Sequence, residues 1–148
     1  MRHLRNTLGA IGAATVLALT GAATASPAQA QPTGTTSLYA PSALVLTVGT
    51  GEEAGTATVG RAVTLTCAPT PGGTHPSPVA ACAELHDAGG EFSGVIDTAP
   101  RRSCTREWDP LVITAQGVWQ GKQVSWSTTF GNRCLMEGGL AEGALFAF

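Results

Sequence analysis

Four cysteines, at positions 67, 82, 104 and 134, constrain this chain more than any other feature. In an exported protein an even set closes two covalent loops, so the domain around them needs less stability from packing alone. Export is read from the amino terminus. Arg2, His3 and Arg5 make a positive start, and Leu8 to Ala23 carry no charge. Small residues follow, with Ala28-Gln29-Ala30 matching the pattern signal peptidase cuts. A retained membrane anchor is the rival reading, but an apolar stretch of about sixteen residues rich in Gly and Ala is short for a span. Residues 1–30 are therefore expected to be a secretory signal peptide cut after Ala30, with Ala25 as the alternative site. The mature protein is expected outside the cell.

Three pairings of the cysteines are open, and Cys67–Cys82 with Cys104–Cys134 is the first choice. Those loops would contribute about 3 and about 3.6 kcal/mol on the chain-entropy model. Zinc is the alternative use of the thiols. No C-x-x-C pair occurs, and the spacings fit no common zinc module, so neither metal nor cofactor is expected. Beyond residue 30 there are six basic and ten acidic residues, a net charge of −4, with no basic patch. That argues against nucleic acid or an anionic membrane as the partner.

The mature chain has the length of one domain. Residues 31–37 read as a loose polar arm and 38–148 as the folded part. LYAPSALVLTV from Leu38 reads as a strand, with Pro41 suited to an edge or bulge. TGEEAGTATVG supplies a turn, and Ala62 to Cys67 alternate as a second strand. APTPGGTHPSP must be loop. VAACAELHDAGG has helical order and stops at Gly89-Gly90, with Ser77 before Pro78 as a candidate cap. EFSGVIDTAP is read as a second short helix. PLVITAQGVWQGKQVSWSTTF reads as two strands joined near Gly121-Lys122, and ALFAF as a last short strand. Five strands and one or two helices without a βαβ rhythm imply an antiparallel α+β domain.

The motifs of common chemistries are absent. TVGTGEEAG resembles a dinucleotide loop, but its last glycine spacing is one residue too long and Glu52 and Glu53 would repel a pyrophosphate. It reads as a hairpin turn, as does GVWQGK. There is no G-x-S-x-G elbow or H-E-x-x-H helix. Beyond the expected signal, only His75 and His86 are histidines that could serve as a general base. The first belongs to a Pro/Gly loop, facing solvent or bonding a turn, and the second to the wet face of a helix. An enzyme is not expected.

One stretch stands apart: SCTREWDP, residues 103 to 110. If Cys104 is tied to Cys134, the chain is fixed two residues before Arg106, and Pro110 fixes it four residues after. Between them lie Thr105, Arg106, Glu107, Trp108 and Asp109, with no glycine, and β-branched Thr105 favours extended backbone. A stiff, extended, outward segment suits a protease groove, because its ordering entropy is already met by folding. Asn132 is two residues before Cys134, so the same bridge would bring it alongside. Its amide has two donors and an acceptor with which to brace the loop. Arg101-Arg102 could instead be a processing site, although cutting there serves no visible purpose.

These residues resemble the Streptomyces-type subtilisin inhibitors, secreted bacterial inhibitors of serine proteases. The resemblance is carried by LYAPSALVLTVG at 38–49, RAVTLTCAP at 61–69, GTHP at 73–76, ACAEL at 81–85, GVWQGK at 117–122 and FAF at 146–148, together with the order and spacing of the cysteines. It implies the sequential disulfide pairing, a five-stranded antiparallel sheet with two short helices, and a homodimer. It further implies a protease-contact loop over Ser103, Cys104, Thr105, Arg106, Glu107 and Trp108, with the bond Arg106–Glu107 presented to the protease and Asn132 in support. The best-known members carry Met where this chain has Arg106. A long cation suits a pocket with a buried carboxylate, so trypsin-like enzymes are the expected first target and subtilisin the second. Thr105 stands where the family often has proline, and acidic Glu107 follows the bond directly, with Trp108 as a compensating aromatic contact. The alternative is a secreted, disulfide-stabilised binding module with no protease target, which would be indifferent to loss of Arg106.

Overall fold

The structure, a computed structural model, describes residues 40–96, 102–140 and 143–148. The expected signal peptide and polar arm lie outside the described residues, as do Leu38, Tyr39 and Arg101. Strand β1 spans Ser42–Thr50, β2 Thr58–Ala68, β3 Gly72–Gly73, β4 Leu111–Trp119 and β5 Lys122–Phe130. Helix α1 spans Pro78–Asp87 and α2 Arg133–Gly139, with a 3-10 turn at Phe92–Val95. The strands form one antiparallel sheet in the order β3-β2-β1-β4-β5. This is the expected α+β fold of five strands and two short helices.

The sheet is built on alternation. In β1, Leu44 and Leu46 are buried while Ala43 and Val45 face out. Leu46 pairs with Val63 of β2 and Ala115 of β4, which brings the central apolar rows into register. Leu44, Leu46, Leu65, Ile113 and Ala115 pack with Ala81 and Leu85 of α1, Phe92 and Met136 in one core. Helix α1 begins with Pro78 as expected, although the Ser77 side chain makes no cap bond. It ends where Gly89 and Gly90 take positive φ, with the Gly90 amide donating to the carbonyl of Leu85 at 2.8 Å. The β4–β5 hairpin closes on Gln120 and Gly121, both at positive φ, as a two-residue type I′ turn requires.

Three expectations are corrected. The fifth strand is the glycine pair of β3, bonded to the edge of β2, and not the tail ALFAF. The tail is a turn whose Leu145 and Phe146 are buried in the core. Its amides at Ala144 and Leu145 donate to the Glu84 carboxylate, leaving no strand ladder to form. EFSGVIDTAP gives only the 3-10 turn within the described residues, and the second helix is α2. His75 bonds the turn but is buried: its Nδ1 accepts from the amide of Ser77, which leaves Nε2 to donate to the carbonyl of Leu145 at 3.1 Å. His86 is exposed on α1 as expected.

The disulfides are Cys67–Cys82 and Cys104–Cys134, with Cα–Cα distances of 5.5 and 5.7 Å. The first ties α1 to β2. The second ties α2 to the segment before β4. All four sulfurs are consumed, which removes them as nucleophiles or metal ligands. Among the described residues no helix is long and apolar enough to cross a membrane.

Candidate functional site

The segment from Ser103 to Asp109 has no regular secondary structure, and every residue in it except half-buried Cys104 is exposed. It is nevertheless held at many points. Cys104 is bonded to Cys134 at the start of α2. At the other end the Asp109 amide donates to the carbonyl of Gly131, and the carbonyl of Pro110 accepts from the Gly51 amide, each at 2.9 Å. From Leu111 the chain enters the most buried stretch of the sheet.

Asn132 lies under the middle of this segment, 7% exposed. Its Nδ2 donates to the carbonyl of Thr105 and to that of Glu107, both at 3.0 Å. Those carbonyls flank Arg106, so one amide nitrogen bridges its two neighbours. The Oδ1 accepts from the amide of Leu135 at 3.0 Å and so caps α2. All three hydrogen-bonding directions of the carboxamide used here are directed by local structure. The helix cap fixes the side chain, and the side chain fixes the loop.

Arg106 is exposed, and among the described residues it has no ion-pair partner. Arg102, by contrast, pairs with Glu137 at 3.3 Å on the surface, where such a pair contributes little. Ser103, Cys104, Thr105, Arg106, Glu107, Trp108 and Asn132 are thus brought together on one surface segment and its support.

Two partners of the loop were not foreseen. Trp108 is 64% exposed, yet its Nε1 donates to Glu52 Oε1 at 2.7 Å. Its ring also lies so close to Gly131 that a Cβ there would stand 3.2 Å from Cζ3. Glu52 lies in the β1–β2 turn, 56 residues away in sequence. Only the sheet order β1-β4-β5, which sets that turn beside the start of β4 and the end of β5, could have exposed the contact.

The subtilisin inhibitor-like family model matches residues 40–132, which span the sheet, the exposed segment and Asn132. The chain belongs to the subtilisin inhibitor-like family. Its members are protease inhibitors and not enzymes. The chain is 54% identical over 146 residues to a subtilisin inhibitor of Streptomyces violaceus, covering 98% of this chain and 100% of that protein. It is 52% identical over 136 residues to kexstatin-1 of Streptomyces platensis, covering 92% and 93% respectively. Sermetstatin of Streptomyces caespitosus, solved in complex with Bacillus licheniformis subtilisin, matches with a TM-score of 0.69 and 44% identity over 73% of this chain and 99% of that one.

Proposed function

We propose that the protein is a secreted, substrate-like inhibitor of serine proteases whose reactive bond is Arg106–Glu107. The observation that carries this reading is the Asn132 carboxamide, bonded at 3.0 Å to the carbonyls of Thr105 and Glu107 on either side of Arg106. A loop held in this way meets the protease with little left to order, so more of the contact energy appears as affinity. Sermetstatin in its subtilisin complex supports a serine protease as the partner class.

The chemistry follows from the anchors. The protease serine adds to the carbonyl carbon of Arg106 while its histidine takes the hydroxyl proton. Collapse of the tetrahedral intermediate breaks the C–N bond, and that proton passes to the departing amine of Glu107. In an ordinary substrate the amine diffuses away before water attacks the ester. Here the Cys104–Cys134 bridge holds the acyl side, while Asn132 and the Asp109–Gly131 bond hold the amine side. The amine re-adds to the ester, returns its proton to the histidine and restores the peptide bond, so cleaved product escapes slowly.

Arg106 sets the target. A guanidinium reaching a buried carboxylate makes charge-assisted bonds roughly twice as strong as neutral ones. Trypsin-like enzymes are therefore the first target and subtilisin the second. The homodimer fits the outer face of the sheet, where Ala43, Val45, Ala62, Thr64, Gln116 and Ser125 are exposed and uncharged. A second copy stacked there would leave both loops outward. Sedimentation should give twice the protomer mass, and Val45→Arg should give a monomer that still inhibits.

The deciding experiment titrates trypsin and subtilisin in parallel with the mature protein. Stoichiometric loss of trypsin activity is expected, with weaker loss of subtilisin activity. Inhibition of subtilisin alone would reverse the order of targets. Two unaffected enzymes and an intact inhibitor would favour the binding module.

A further inference from the structure

We infer that Glu52 is a second positioning residue for the loop, acting through Trp108 on the residues that follow Arg106. The inference rests on the reading of Arg106–Glu107 as the reactive bond. Asn132 fixes two carbonyls, but its grip on the amine side ends at Glu107. The next residue is Trp108, and its indole N–H is bound to the Glu52 carboxylate at 2.7 Å, a short charge-assisted contact.

Glu52 is not a free surface side chain. Its own carbonyl accepts from Thr129 Oγ1 at 2.7 Å, and the amide of neighbouring Gly51 donates to Pro110 at 2.9 Å. The β1–β2 turn is therefore stitched to both the entry of β4 and the end of β5, and the carboxylate is presented from a fixed base. On its other side the indole rests on Gly131, next to Asn132. Trp108 is thus clamped between the two supports, one from the β1–β2 turn and one from the start of α2. The peptide unit between Glu107 and Trp108 has a held point on each side, which keeps the amine of Glu107 near the ester during cleavage. With its N–H already occupied, the exposed ring offers a protease only apolar surface.

The test uses the full mature protein with Glu52→Ala, Glu52→Gln, Glu53→Ala and Trp108→Phe, the last alone and combined with Glu52→Ala. Three quantities are read: the inhibition constant, the rate at which a form cut before Glu107 accumulates under catalytic protease, and hydrogen exchange of the Trp108 indole N–H in the free protein. Glu52→Ala should weaken inhibition about fivefold, the size of one net hydrogen bond, and speed accumulation of the cut form by a similar factor. The indole N–H should lose protection. Glu52→Gln keeps an acceptor and should stay within about twofold of the parent, a recovery that mere loss of charge would not give. In the Trp108→Phe background the effect of Glu52→Ala should vanish. Glu53→Ala removes the same charge from the same turn and should change nothing. Unaltered inhibition and indole protection in Glu52→Ala, or an equal effect from Glu53→Ala, would overturn the inference. If the parent protein inhibits no serine protease, the reactive-bond reading fails, and the indole exchange still decides whether Glu52 positions the loop.

Discussion

The segment Ser103–Asp109 and strand β4 meet at Pro110 and solve opposite problems. Leu111 to Ala115 are all buried, and Leu111, Ile113 and Ala115 take their geometry from packing in the core. In the preceding segment only Cys104 is even half buried, and geometry comes from a few fixed points: one disulfide, the Asn132 carboxamide, the Glu52–Trp108 bond and two backbone bonds. Packing resists change in proportion to the volume disturbed. Point attachment leaves the surface bare for a partner and concentrates sensitivity in the attachments. Stability and function are therefore separable along one short continuous stretch of chain.

That contrast can be broken from either side. The largest effect on inhibition is expected from Arg106→Glu, which sets a carboxylate against the carboxylate of a trypsin-like pocket. Losing a buried charge pair costs about 2–5 kcal/mol, so trypsin inhibition should fall by roughly thirtyfold to several thousandfold while the melting temperature stays unchanged. Paired replacement of Cys104 and Cys134 by Ala comes next. It frees the acyl side of the loop at about 1–2 kcal/mol per loosened residue, and inhibition should weaken by about a hundredfold as the protein becomes a substrate. Unchanged inhibition, with loss of the bridge verified by mass, would mean the hydrogen bonds alone hold the loop.

Asn132→Asp is the finer cut. The carboxylate keeps an oxygen for the Leu135 amide but turns an acceptor towards the carbonyls of Thr105 and Glu107. Loss of two bonds at about 1 kcal/mol each should weaken inhibition by roughly thirtyfold with α2 retained by circular dichroism. The smallest effect on inhibition belongs to Ile113→Ala, at a fully buried position in β4. It should cost about 2–5 kcal/mol of stability in denaturant unfolding and leave the inhibition constant untouched below the melting transition. Equal loss of affinity in this variant would show that loop and strand are not separable after all.

The sheet was legible because alternation, turn residues and capping glycines act over a few residues, as at Leu44–Leu46, Gln120–Gly121 and Gly89–Gly90. The elements that escaped are held by distant partners. Gly72–Gly73 carries no strand signal, yet it pairs with Leu65 and Thr66 because the Pro/Gly loop folds back along β2. Helix α2 has seven residues and ends in two glycines; its Cys134 bridge and buried Met136 supply what propensity does not. ALFAF reads as a strand by composition, but Glu84 and His75 take up its polar groups in a turn. At the site, Asn132 was visible through its spacing from Cys134. Glu52 was not, because nothing within the β1–β2 turn announces a partner 56 residues away.

The three hydrogen bonds of Asn132 belong to one rigid planar group. Rotation about the bond to that plane cannot sacrifice one of them and keep the other two in line. The loop is therefore latched or unlatched, with little between, and a population of inhibitor molecules should behave as a mixture of competent and incompetent forms rather than as uniformly softened copies. A weakened latch then lowers the competent fraction, and the apparent inhibition constant rises by the inverse of that fraction while the contacts of the bound form stay as they were.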